Sequence, residues 1–356
     1  MKKRWLSCLL LLLLTVVLTW GTAGCGTFMA RRMAQAPNSY PTWFAPEAPV
    51  LLAFHPNFLT NFARQYVAVG PPAAKLCYRV IEPADYNLTV SSTNWLEDGL
   101  KRTAFDFHAD MAGGTNAWTA HPRGTVVLLH GYALAQFSMV PWGLWLAQNG
   151  WRCVLVDLRG HGKSTGKRIY YGLREVHDLS QLLDHLADQR ELTEPVAAFG
   201  ESYGAVMALR WKPVEPRVRM VVAIAPYAVL SNTVLNLRSQ YAGWLPTSLI
   251  KAGLRQLPSV LGTTADELDT TTQLSRHPVK ALFVTADGDK IAPESDVAEL
   301  RTLAAPGSKL IVVRDSTHET VTYDFADLTK PILQWLSNGD EPGRKSFDSG
   351  HTSLGR

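Results

Sequence analysis

Short uninterrupted apolar runs recur along the chain and are bounded by glycine and polar residues. They are Leu76–Ile81, Arg102–Phe107, Thr125–His130 (TVVLLH), Cys153–Asp157 (CVLVD), Val196–Phe199, Met220–Ile224 (MVVAI), Ala281–Thr285 (ALFVT) and Leu310–Val313. Runs of this kind suit strands buried on both faces. Between them lie helical stretches. Gly172–Arg190 places Leu173, Val176, Leu179, Leu182, Leu183 and Leu186 close to a 3.6-residue period. Strands alternating with helices predict an α/β fold, a doubly wound and mostly parallel sheet with its chemistry beyond the C-terminal strand ends. Residues 227–277 break the alternation. They are apolar, include Tyr241 and Trp244, hold no clear strand and are long for a loop. A lid of short helices is the expectation there. Residues 339–356 are polar and read as a flexible tail.

The N-terminus reads as an address. Lys2, Lys3 and Arg4 precede an apolar run from Leu6 to Trp20, and small residues follow. That order is a secretory signal over residues 1–24, and the run is short for a spanning helix. The Ala23-Gly24-Cys25 ending resembles a bacterial lipoprotein signal, with Thr22 where that family usually has Leu. The resemblance implies cleavage before Cys25 and a lipid on Cys25, hence an exported, membrane-anchored protein of the cell envelope. Gly26 rather than Asp implies the outer membrane in a Gram-negative cell. Plain cleavage and an uncleaved anchor are the other two readings. Residues 25–72, rich in Pro, Ala and aromatics, read as a tether followed by a segment packed on a core, and residues 73–338 as the main domain.

Composition narrows the classes. Apolar residues make up 46% and charged residues 19% of 356 positions, which excludes global disorder. The net charge of +4 falls to 32 positive against 31 negative once residues 1–24 are removed. No basic stripe appears, so nucleic acid is not an expected partner. Cys77 and Cys153 fall in two different apolar runs and read as buried free thiols rather than a disulfide. No H-E-x-x-H, C-x-x-C or phosphate-loop spacing occurs, so no metal and no organic cofactor is expected.

Gly200-Glu201-Ser202-Tyr203-Gly204 matches G-x-S-x-G. It follows an expected strand and precedes a helix-compatible stretch, Tyr203–Trp211, which is the context a nucleophilic serine needs. A serine hydroxyl requires a base, and the base an orienting carboxylate. Three histidines follow Ser202. His351 lies in the tail, His277 leads into a strand at its N-terminal edge, and His318 follows the last strand at the correct edge. His318 is therefore the expected base. The loop after Ala281–Thr285 offers Asp287 and Asp289, of which Asp289, before a Lys-Ile-Ala-Pro turn, is preferred. Oxyanion donors are expected from the backbone of Tyr203 and of Tyr132, with Ala133 as the alternative to Tyr132. His130 reads as a loop-fixing residue. Glu201 could hold a substrate amine, or cap the turn.

His130-Gly131, Asp157-Leu158-Arg159-Gly160-His161-Gly162-Lys163-Ser164, Gly200 to Gly204, Asp289 and His318 together resemble the α/β-hydrolase superfamily, in its monoacylglycerol-lipase and serine-aminopeptidase branch. The resemblance spans roughly Thr125 to Leu336. It implies Ser202 as nucleophile, Asp289 as acid, His318 as base, and Tyr132 and Tyr203 as oxyanion donors. Glu201 stands where lipases commonly have His. The expected activity is hydrolysis of a small ester, thioester or lipid-like substrate with an apolar acyl group. An aminopeptidase-like amide hydrolase and a non-catalytic envelope binding protein are the alternatives.

Overall fold

Alternate residues of each central strand enter opposite sides of the sheet, and both sides are buried. Val126 and Leu128 pack on one side with Trp142 and Phe199, while Val127 and Leu129 pack on the other with Leu179 and Val206. A strand covered on both faces has no polar position to spare, which is why these segments read as unbroken apolar runs.

The computed structural model describes residues 24–39, 50–54, 61–97, 100–109 and 121–338. Residues 1–23 of the expected signal and residues 339–356 of the expected tail lie outside them. In chain order the elements begin with helix α1 (24–33), β1 (Val50–Phe54), β2 (Gln65–Val69), β3 (Ala74–Ile81), β4 (Thr89–Glu97), β5 (Leu100–His108) and β6 (Thr125–Leu129). Then come α2 (Val140–Gln148), β7 (Arg152–Asp157), α3 (Glu175–Asp188), β8 (Val196–Glu201), α4 (Tyr203–Trp211) and β9 (Val218–Ile224). Helices α5 (Leu230–Tyr241), α6 (Thr247–Leu261) and α7 (Thr270–Arg276) occupy the stretch without strands. The chain finishes with β10 (Leu282–Ala286), α8 (Glu294–Leu303), β11 (Lys309–Val313) and α9 (Phe325–Asn338).

Eight strands form one sheet in the order β11-β10-β9-β8-β6-β7-β3-β2. Strands β6 to β11 pair in parallel, and β3 and β2 close one edge antiparallel. The chain leaves β6 for β7 on one side and returns to β8 on the other. The ends of β6 and β8 therefore meet at the switch point, where Leu129 pairs with Gly200. Arg102–Phe107 is a strand as expected, but it belongs to a separate three-stranded sheet, β1-β5-β4. That sheet brings Phe105 and Phe107 against Tyr323, and Phe107 against Phe325. Trp142 stacks on Phe325 at 4.4 Å and donates to the Thr322 carbonyl at 2.6 Å, fixing the loop behind β11. Cys77 and Cys153 are buried free thiols on neighbouring strands, four ladder positions out of step.

Residues 24–39, at the start of the expected tether and packed segment, lie against the main domain. Helix α1 lies against α6. A Cβ built on Gly253 would stand 2.6 Å from the Met29 side chain, and one on Gly26 would stand 3.0 Å from the Ala252 carbonyl. Ala30 and Ala34 are fully buried. Small residues on both helices permit that approach, and nothing in their spacing distinguishes them from a flexible Ala-rich segment. Beyond α1 the backbone runs along the loop after β7. Ile169 donates to the Ala34 carbonyl at 2.9 Å, and the Asn38 amide to the Ser164 carbonyl at 2.8 Å. The Gly253→Val variant should lose about 1–3 kcal/mol through overpacking. A thermal melt together with faster proteolysis within residues 24–39 would show it; an unchanged melt would mean that α1 does not rest there.

Candidate active site

Gly200 ends β8 against the backbone that follows it. A Cβ at Gly200 would fall 2.1 Å from the Gly204 carbonyl, and one at Gly204 would fall 2.1 Å from the Leu129 carbonyl. Only glycine allows the strand, the turn and α4 to come this close, which accounts for both ends of the motif. Ser202, between them, sits at φ 50 and ψ −110, with its N–H donating to the Ile224 carbonyl at 2.7 Å. A non-glycine residue held there is strained, and the surroundings must impose the conformation.

The turn aims the Ser202 hydroxyl at His318, whose Nε2 lies 2.9 Å from Oγ. His318 Nδ1 lies 2.8 Å from Asp289 Oδ2. The other Asp289 oxygen accepts the N–H groups of Ile291 and Ala292, each at 2.8 Å, so the carboxylate cannot rotate away. Gly288 lets the Asp289 loop approach the His318 loop, since a Cβ there would meet the Ser316 carbonyl at 2.6 Å. Asp287 instead faces Arg314 at 3.8 Å. His277 is exposed at the end of α7, and His351 lies outside the described residues. Burial pushes the His318 ring toward its neutral form. The hydrogen bond and charge of Asp289 outweigh this, with Glu319 and Glu201 adding to them, and hold the ring above its ordinary 6.5.

His130 is not part of this chain of hydrogen bonds. It is fully buried, its Nδ1–H donates to the Gly131 carbonyl at 2.8 Å, and its Nε2 accepts from the Leu158 N–H at 3.0 Å. Burial lowers it to about 4, so it stays neutral and ties the Gly131-Tyr132 loop to the loop after β7. That second loop is built by Asp157, which accepts the N–H groups of Gln136 and Lys163. Arg159 and Asp178 form a buried bidentate pair at 2.7 Å beneath it. These bonds fix the shape of residues 157–164, whose His161 ring packs against Tyr203 at 5.6 Å.

Two contributors had no signature in the sequence. The Tyr203 hydroxyl donates to Glu175 at 3.2 Å, and Glu175 also holds the N–H groups of Tyr170 and Gly172. Tyr241, at the end of α5, donates to the carboxylate of Glu319, next to His318. Asn236 of α5 donates to the Ile291 carbonyl at 3.1 Å. The helical insertion is thus tied to both loops that carry the triad. Cys25 is exposed near the start of α1. Among the described residues no group of three or more His, Cys, Asp or Glu side chains is placed to hold a metal ion.

A protein-family model described as serine aminopeptidase, S33 matches residues 120–261. The Pyrococcus furiosus esterase Pf2001 superposes with a TM-score of 0.56 over 83% of this chain and 99% of its own, at 20% identity. A hydrolase from Pseudomonas aeruginosa superposes with a TM-score of 0.51 over 77% of this chain and 98% of its own, at 17% identity. The chain has the α/β-hydrolase fold. The uncharacterized protein YqkD of Bacillus subtilis is 24% identical over 250 residues, covering 67% of this chain and 80% of that protein. Tyr203 opens α4 directly after Ser202, and the Tyr132 ring packs edge-on against the Tyr203 ring at 6.2 Å. The first N–H groups of α4 have no partner inside the helix and lie at its positive end.

Replacing Asp289 by Asn removes the main cause that raises His318. In an NMR titration of the ring, the wild type should titrate above 6.5, Asp289→Asn well below the wild type, and Asp287→Asn with the wild type. A shift in Asp287→Asn instead would transfer the role to the other aspartate.

Proposed function

We propose that this protein is a serine hydrolase that cleaves an ester or thioester of an apolar acyl group through an acyl-enzyme on Ser202. The observation that carries the reading is the unbroken line Ser202 Oγ, His318 and Asp289, with links of 2.9 and 2.8 Å, set on a strained turn at the switch point. In this mechanism His318 Nε2 takes the Ser202 proton as Oγ attacks the substrate carbonyl carbon. The N–H groups of Tyr203 and Tyr132 receive the oxyanion, an arrangement whose single donors are worth about 3–4 kcal/mol. His318 then returns the proton to the leaving oxygen or sulfur. Water, deprotonated by the same ring, releases the acid and restores Ser202. Asp289 orients the ring and stabilises the imidazolium. Helices α5 to α7 act as the lid, and the exposed Trp244 between α5 and α6 favours an acyl chain.

The description of the matching family favours a second reading, aminopeptidase-like amide hydrolysis. Glu201 is the carboxylate that would hold a substrate amine, yet it is only 6% exposed and lies against Gly131, which supports the ester reading. The complete triad geometry also speaks against a non-catalytic binding protein. We further place the protein in the cell envelope, anchored by a lipid on Cys25, whose exposed position leaves room for the modification.

A fluorophosphonate probe should label the wild type and not Ser202→Ala. Hydrolysis of p-nitrophenyl esters should fall about 10⁴-fold or more in that variant. Longer acyl chains should outrun aminoacyl anilides on the same enzyme. Labelling that survives Ser202→Ala would remove the serine mechanism, and preferred cleavage of the anilides would move the protein to the peptidases. Mass spectrometry of the mature protein should find a lipid-modified N-terminal Cys25; a Cys8-containing peptide would refute the processing.

A further inference from the structure

Glu201, the residue before Ser202, is a buried ionisable group for which the mechanism above has no use. Its carboxyl carbon and Oε1 lie 3.7 Å from where a Cβ on Gly131 would stand, so it is wedged beneath the loop that carries Tyr132. On its other side it faces the segment after His318. The Thr322 hydroxyl lies beside it and favours its ionised form, and the phenol of Tyr323 senses its charge. Neither Glu201 Oε2 nor Thr322 Oγ1 makes a hydrogen bond of ordinary geometry, and both are sealed from water. A buried carboxylate left with an unpaired oxygen is costly. The site retains it between the two loops that the reaction needs.

We propose that Glu201 is a positioning residue for this reaction, a second negative group that acts through His318 and stabilises the imidazolium formed as Ser202 attacks. The inference rests on the serine-hydrolase reading. Three carboxylates favour the charged imidazole. Asp289 is bonded to Nδ1, Glu319 is bonded by the Tyr241 hydroxyl, and Glu201, buried against Gly131 one residue before Ser202, adds its charge. Burial raises Glu201 to about 7, Asp289 holds His318 above its ordinary 6.5, and each charge favours the other. At higher pH Glu201 is ionised and opposes deprotonation of the ring. At lower pH it is neutral and that help is withdrawn.

The test is the isosteric, neutral variant Glu201→Gln, followed by the pH dependence of ester hydrolysis. Removing the negative group should lower the pKa of His318, so the acidic limb of kcat/KM should move down by about one pH unit. kcat at the plateau should fall about tenfold, the rate equivalent of one pKa unit of lost imidazolium stabilisation, with KM unchanged. Thr322→Val serves if the Gln variant does not fold. It removes the hydroxyl that favours ionised Glu201, so it should move the limb in the same direction by less. A limb that stays in place in the folded variant, whatever the activity, would show that Glu201 only fills space. A rise in KM for amine-bearing substrates with kcat intact would make it a substrate contact, and would equally overturn the proposal. Loss of labelling in Ser202→Ala tests the parent reading separately, because that result does not depend on position 201.

Discussion

The backbone at Ser202 is held at a positive φ that an L-residue adopts only at a cost of about 1–3 kcal/mol. The rest of the site depends on this constraint. It is imposed by two contacts too close for any side chain, Gly200 on the Gly204 carbonyl and Gly204 on the Leu129 carbonyl. With β8 hydrogen-bonded between β6 and β9, the turn has no room to relax into ordinary geometry. The hydroxyl is thereby presented at the sheet rim, and the start of α4 is placed directly beside it.

Each partner reaches that rim by a similar device. Asp289 is locked by two backbone N–H groups, its loop is allowed close to the His318 loop by Gly288, and the segment behind His318 is held by Trp142 through the Thr322 carbonyl. His130 is kept neutral by burial and joins the Gly131-Tyr132 loop to the loop after β7. The α5–α7 insertion touches both triad loops through Asn236 and Tyr241, and α1 packs on α6. A continuous set of contacts therefore runs from α1 through α6 and α5 to the loops of Asp289 and His318.

The sequence was most legible where one physical requirement dominates. Strands buried on both faces must be apolar almost throughout, so β6 to β10 announce themselves, while the edge strand β11 is legible from its Leu310–Val313 run. The strand-turn-helix setting of Ser202, the chain order of Ser, Asp and His, and the Lys-Ile-Ala-Pro turn after Asp289 point to residues that the structure brings within hydrogen-bonding distance. Strand β2, at the sheet edge, and β4, with its polar TVSSTNWLE sequence, have no such requirement and were not seen. Helix α1 was missed because small residues that permit close packing look like those of a flexible segment. Glu175 and Tyr241 were invisible as contributors, since their roles depend on distant partners, Tyr203 and Glu319, that periodicity cannot pair.

The most direct measurement is a crystal structure of the protein after reaction with an alkyl phosphonate ester. The account predicts phosphorus bonded to Ser202 Oγ. The phosphonyl oxygen should sit between the N–H groups of Tyr132 and Tyr203, and His318 should remain on Asp289. An intact, unlabelled Ser202, or an adduct whose oxygen points away from both amides, would contradict it.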